Sequence, residues 1–133
     1  MAFGSPVGIH HVIKRFGSAF GGLPEFFCRL DQGNFISFVG NLSSRSFTQK
    51  VKKSFATAAD FPVETLNTFS SITGVDFSDH RNFWEFGFDA FMITDTAFNR
   101  NRNYHEPEDT WEKLDFKRMN QVITGLYRAM RSL

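Results

Sequence analysis

The stretch Asn34-Phe35-Ile36-Ser37-Phe38-Val39-Gly40-Asn41 decides the fold class of this chain. Its apolar run is nearly continuous and is closed by Gly-Asn, which predicts a strand buried on both faces of a sheet. In residues 43–59, which follow directly, apolar residues recur at spacings of four, four and three, so an amphipathic helix is predicted, with Ser43 or Ser44 capping its start. A buried strand that leads into a helix is typical of an α/β fold.

Two more elements are predicted between residue 60 and residue 94. Residues 60–78 are interpreted as a long polar connection without regular structure. A short helix over residues 79–86, capped by Ser78 and ended by Gly87, then leads into a second strand over residues 88–94. Because helices separate the two predicted strands along the chain, the strands are expected to run parallel.

A final helix is predicted from residue 116 to about residue 131, with Asp115 as its cap. Its apolar residues recur at helical spacing and define one apolar face. That face comprises Phe116, Met119, Ile123, Leu126 and Met130.

The predicted sheet is incomplete. Two buried strands with open edges do not make a stable sheet by themselves, so the chain resembles part of a larger sheet. Residues 1–32 are rich in Gly and Pro and are predicted as a loop-rich connecting segment, which leaves residues 33–133 as the structured part.

Composition narrows the function classes for this chain of 133 residues. A net charge of +1 argues against nucleic acid as a partner, and Lys50, Lys52 and Lys53 are interpreted as the solvated face of a helix. The single cysteine, Cys28, excludes an internal disulfide and a thiolate zinc site. We find no apolar run long enough for a membrane span and no signal peptide. A cytoplasmic location would follow only if residue 1 is the original start, so the compartment stays open.

A polar loop, residues 94–110, holds the residues of greatest chemical interest. It follows an apolar run and presents Tyr104-His105 among Asn, Arg and carboxylate side chains. From the residues alone, His105 can be a zinc ligand, a general base or only a hydrogen-bonding loop residue. The adjacent His10-His11 is a second metal candidate, but a chance pair of histidines in a loop is the simpler explanation.

Several motifs around this loop resemble the C-terminal part of the zinc-dependent aminopeptidases of peptidase family M28. The resemblance covers roughly residues 33–130 and is specific from Ser78 to Met119. It rests on five strings: Asn34 to Leu42 with Ser44-Arg45; Ser78-Asp79-His80 with Phe83-Trp84 and Gly87; Phe91 to Ala97; Tyr104-His105-Glu106-Pro107-Glu108-Asp109-Thr110; and Leu114-Asp115 with Met119.

This resemblance implies a fold and a reaction. The fold is a three-layer α/β/α zinc-peptidase fold with a mostly parallel sheet, of which this chain holds the C-terminal portion. The reaction is hydrolysis of N-terminal peptide bonds in peptide or aminoacyl substrates, with two zinc ions in the complete enzyme. The side-chain preference cannot be inferred, because most specificity contacts would lie in absent parts.

The resemblance also implies roles for individual residues. His105 corresponds to a zinc ligand and Tyr104 to the hydroxyl donor that holds the oxyanion of the tetrahedral intermediate. Asp79 and His80 would line or brace the site, although Ser78-Asp79 is also an ordinary helix cap. Asp109 would orient His105, or it only shapes the turn.

The chain departs from the family pattern in the rest of the metal site. The complete enzymes need a His-x-Asp pair, a Glu-Glu pair and a further carboxylate before this region, and the chain has neither pair. One imidazole cannot hold a catalytic zinc ion, which takes about three protein ligands. We therefore expect that the chain alone neither binds zinc tightly nor is active, and that a missing N-terminal half is a possible partner. The alternative is a degenerate, non-catalytic binding or assembly module.

Overall fold

The computed structural model describes residues 34–96 and 101–133. The predicted connecting segment 1–32, with Cys28 and the His10-His11 pair, lies outside these residues. In chain order the elements are β1 (Ile36–Asn41), α1 (Arg45–Ala58), β2 (Val63–Thr68), α2 (His80–Glu85), β3 (Phe91–Thr94), a 3-10 turn (Trp111–Lys113) and α3 (Phe116–Arg131). None of the helices in the described ranges is long and apolar enough to cross a membrane.

The three strands form one mixed sheet in the order β2-β1-β3. Strand β1 is parallel to β2 and antiparallel to β3. The predicted parallel pairing is therefore wrong for β1 and β3. The contacts directly before β3 explain the reversal, because the backbone of Ala90 donates to Ser44 Oγ over 3.1 Å and accepts from Trp84 Nε1 over 2.9 Å, which holds it just beyond the end of β1. Strand β3 consequently starts at the end of the sheet where β1 and β2 end, and it runs antiparallel to β1.

Strand β2 lies within residues 60–78, where the sequence predicted a polar connection. Several of its polar side-chain groups bond to neighbouring elements, while the buried Asn67 Oδ1 has no hydrogen-bond partner among the described residues. Gln49 of α1 donates to the Thr65 hydroxyl over 3.0 Å, and the Asn67 amide donates to the Thr48 hydroxyl and to the backbone carbonyl of Asn41 over 3.1 Å each. A polar strand is stable in this place because its side chains bond to the helix packed on the sheet.

Strand β1 is buried on both faces, as predicted, and separates two apolar clusters. On one face Phe38 contacts the Phe55 ring of α1 edge-on at 5.6 Å and stacks on Phe91 at 5.0 Å. Helices α1 and α3 cover this face. The segment that contains α2 covers the other face, where Trp84 packs against the cluster of Phe35, Val39, Leu66 and Val75.

Helix α3 packs against α1 through a face centred on Gly125. A Cβ atom added at Gly125 would lie 2.6 Å from the Ala59 Cβ and 2.7 Å from the Phe55 ring, so only glycine permits this approach. The buried or half-buried residues on this face are Val122, Gly125, Leu126 and Ala129. Of the apolar face predicted from the sequence, only Leu126 packs here, and the other four residues, Phe116, Met119, Ile123 and Met130, are exposed.

The predicted cap position of α1 is confirmed at Ser44, without the capping bond, and the predicted cap of α2 is wrong. Ser44 occupies the N-cap position of α1 without a side-chain capping bond, and the Asn41 side chain instead accepts hydrogen bonds from the Ser44 amide and the Ser43 hydroxyl. The cap of α2 is Asp79 rather than Ser78. The predicted cap of α3 is confirmed, since Asp115 Oδ1 accepts from the Arg118 amide over 3.0 Å.

Candidate functional site

The loop that carries Tyr104 and His105 leaves the sheet at the end of β3. Thr94 pairs with Ser37 near the start of β1, so the loop leaves from the end of the sheet where β1 and β2 begin. Thr96 marks this exit, because it is buried and has a φ of 76°, a conformation that costs a β-branched residue energy. Sequence reasoning missed Thr96, since backbone strain of this kind leaves no signal in residue order.

The part of the loop from Asn101 to Thr110 is a series of turns closed by one side-chain contact. The Asn101 amide donates to Asp109 Oδ1 over 2.7 Å, and Asn101 Oδ1 accepts from the Asn103 amide over 3.0 Å. The backbone carbonyl of Asn101 also accepts from the Tyr104 amide at 3.2 Å. Asn101 therefore organises the loop, a role that the sequence analysis did not assign.

Tyr104 and His105 present their rings together at the surface of this loop. The ring centroids lie 4.0 Å apart, with 19° between the planes, and both side chains are exposed. His105 has a φ of 63°, in the left-handed region that residues other than glycine seldom occupy. Histidine enters this region more readily than most residues, and residues held in it cluster at functional sites.

His80 occupies an interior position. It is 6% exposed, and its Nε2 lies 2.7 Å from the backbone carbonyl of Val75. A carbonyl only accepts, so Nε2 carries the hydrogen, and the buried Nδ1 has no partner. The imidazole also meets the Trp84 ring edge-on at 4.5 Å, and Trp84 donates to the Ala90 carbonyl over 2.9 Å. His80 thus joins α2 to the preceding segment at Val75, and Trp84 joins α2 to the segment that enters β3.

The two carboxylates of the predicted site have different surroundings. Asp79 is exposed at the N-cap position of α2, and its side chain makes no capping hydrogen bond. Asp109 is bonded to Asn101, which is the turn-shaping contact described above. Within residues 34–96 and 101–133, no three His, Cys, Asp or Glu side chains form a group that could hold a metal ion.

Comparison with known proteins gives two matches. The sequence model of peptidase family M28 matches residues 26–130. A relative in Escherichia coli (strain K12), an uncharacterized protein named YfbL, is 43% identical over 96 residues. Those residues make up 72% of this chain but only 30% of the relative, so the chain spans less than a third of that protein's length. No solved structure matches.

Proposed function

Because this chain belongs to peptidase family M28, we propose that it supplies the C-terminal part of a zinc-dependent aminopeptidase site. In this proposal His105 is one zinc ligand and Tyr104 is the hydrogen-bond donor to the oxyanion. The observation that carries it is the joint exposure of the two rings, 4.0 Å apart, on a loop with a left-handed backbone at His105. An exposed imidazole and an exposed phenol on one turn can reach the same bound group.

The described residues do not by themselves fit a zinc ion. His105 is exposed, and the described part of the chain contains no group of three potential ligands. A catalytic zinc ion takes about three protein ligands and keeps one open position. The remaining ligands and the general base would have to come from the part of an M28 domain that this chain lacks.

The chemistry proposed for this chain's own residues is therefore limited to two tasks. A neutral His105 would offer a ring-nitrogen lone pair to a metal ion that other residues also bind. The Tyr104 hydroxyl would donate a hydrogen bond to the negative charge that develops on the carbonyl oxygen of the scissile bond, for which a positioned donor is worth about 10²–10³ in rate.

The other three residues of the proposed site would act in support. We assign Asp79 to the rim of the proposed site, because its exposed carboxylate is not used to cap α2. His80 would support the site through its contacts with Val75 and Trp84, without touching substrate. Asp109 would hold the loop closed through Asn101 and so keep Tyr104 and His105 in place.

A chimera tests this proposal. The 96 matched residues of E. coli YfbL would be replaced by those of this chain, and the protein assayed for zinc content and for hydrolysis of aminoacyl anilides. We expect bound zinc and chelator-sensitive turnover. His105→Ala should lower both the zinc content and the turnover, whereas Tyr104→Phe should lower turnover by roughly 10²-fold and leave zinc content unchanged. A zinc content that does not respond to His105→Ala would contradict the assigned ligand.

A further inference from the structure

Helix α3 is apolar over more than one face. At about 100° per residue, Val122, Gly125, Leu126 and Ala129 lie on one side of the helix, the side that packs on α1. A second stripe lies beside it at spacings of three, four, four and three. Its members are Phe116, Met119, Ile123, Tyr127 and Met130, which we call the outer stripe.

The outer stripe is uncovered by the described residues. Its five side chains are between 41% exposed, at Met119, and 62% exposed, at Met130. A helix in a globular protein normally exposes polar residues opposite its buried face, and one apolar over a wider arc is typical of a larger core. The arc on α3 thus has room for a second packing partner.

Two features show that the exposure extends beyond α3. Ile93 of β3 pairs with the fully buried Phe38 and so belongs to the sheet face that α1 and α3 cover, yet it remains 38% exposed. Within the described residues, neither β2 nor β3 has a strand on its outer side. Apolar surface is therefore exposed both on α3 and on the sheet face beneath it, and both edges of the described sheet are open.

The outer stripe is also continuous with the loop of the candidate site. Trp111 is 67% exposed, and its ring lies 6.3 Å from that of Phe116, the first residue of the stripe. Trp111 directly follows Thr110, the end of the loop that carries His105. A polypeptide that packs on the outer stripe and Trp111 would lie next to the His105 loop, where the proposed site needs further metal ligands.

We propose that the outer stripe is the docking surface for the remainder of an M28 domain, the part that carries the other metal ligands. This inference rests on the proposed function. The length of the E. coli relative supports this occupant, because the matched residues are only 30% of that protein and its larger part has no counterpart in the match. A second copy of this chain would cover apolar surface, but it would bring neither the His-x-Asp pair nor the Glu-Glu pair to His105.

Co-expression tests the docking surface. The full 133-residue chain would be produced together with the affinity-tagged part of E. coli YfbL that lies outside the 96-residue match, and the amount of chain recovered with the tag measured. We expect a complex with the unmodified chain and roughly tenfold less recovery with Ile123→Lys or Tyr127→Lys, because a buried charge disrupts an apolar interface. Gln121→Lys is the matched control, since it places the same charge on the polar side of α3 and should leave recovery unchanged.

Three outcomes would overturn the proposal. The first is no complex with the unmodified chain, or equal recovery of the Ile123→Lys and Gln121→Lys variants. The second is a dimer of the isolated chain, seen by light scattering, that Ile123→Lys abolishes, which would make a second copy the occupant. The third is slow maleimide labelling of Ile123→Cys in an isolated Cys28→Ala monomer, which would assign the surface to the chain's own residues outside the described ranges. Circular dichroism of each variant verifies that α3 is retained.

The experiment separates this proposal from the proposed function. A stripe-dependent complex that neither binds zinc nor hydrolyses aminoacyl anilides would support docking and contradict the peptidase role. Conversely, a zinc-dependent chimera combined with stripe-independent recovery would support the peptidase role and contradict this docking surface.

Discussion

The side-chain amide of Asn101 donates a hydrogen bond to Asp109 over 2.7 Å, and this contact closes the loop that presents Tyr104 and His105. Asn101 and Asp109 are eight residues apart in sequence, so the hydrogen bond between them holds the two ends of an exposed segment together. It makes the arrangement of the two rings testable without any knowledge of the substrate.

We expect Asn101→Ala or Asp109→Ala to open this loop selectively. Without the 2.7 Å hydrogen bond the segment samples extended conformations, so trypsin should cut after Arg102 several-fold faster. The urea midpoint should change little, because the contact is exposed. Glu108→Ala is the control, as it removes a carboxylate from the same loop but keeps the Asn101–Asp109 bond. Equal cleavage of all three variants would rule out a closing role for this bond.

The isolated 133-residue chain is expected not to hydrolyse aminoacyl anilides, even when zinc is added. Its described residues hold no group of three potential ligands, and its sequence lacks the Glu-Glu pair that supplies the general base in the family it resembles. The measurement is turnover by the purified chain with and without a chelator. Chelator-sensitive turnover would disprove the prediction, provided that His105→Ala abolishes it, since persistence in that variant would indicate a contaminating peptidase.

The two histidines of the candidate site should differ in their contribution to stability. His80→Ala leaves the Val75 carbonyl without its partner in a buried position and removes the contact with Trp84, which should lower the free energy of unfolding by about 2–3 kcal/mol. His105→Ala is the matched comparison and should cost less than about 0.5 kcal/mol, because that side chain is exposed. Urea unfolding of both variants decides the matter, and an equal cost would show that the assigned structural role of His80 is wrong.

Substitution of Gly125 should destabilise the contact between α3 and α1. In Gly125→Ala the new methyl group would lie 2.6 Å from the Ala59 Cβ, so the helices must separate, at a cost of about 1–3 kcal/mol. This cost equals or exceeds the gain of about 1 kcal/mol that alanine normally brings to a helix interior. Thr124→Ala, at the neighbouring helix position, serves as the control. An increase in the urea midpoint of Gly125→Ala would mean that the two helices do not approach this closely.

The predictability of the candidate site varied with the kind of interaction. Tyr104 and His105 could be singled out from local motifs, because a run of seven residues, 104–110, carried the resemblance. The roles of Thr96 and Asn101 could not, since one is a backbone strain and the other a bond across eight residues. The observed environment of His80 depends on Val75 and Trp84, whose positions follow from packing against β1.

The sequence by itself determined the elements whose signals are local. Strand β1 lies where the continuous apolar run predicted it, and helices α1 and α3 lie where apolar periodicity predicted them. The Asp115 cap was correct because capping involves only the next three residues. Only the tertiary structure decided the partners of those elements. Strand β2 pairs with β1, and several of its polar groups bond to β1 and α1. Strand β3 runs antiparallel because Ala90, directly before it, is held beside the end of β1 by Ser44 and Trp84. The apolar arc of α3 is wider than its contact with α1, so periodicity alone could not show which face is buried. The close approach of the two helices at Gly125 buries that face.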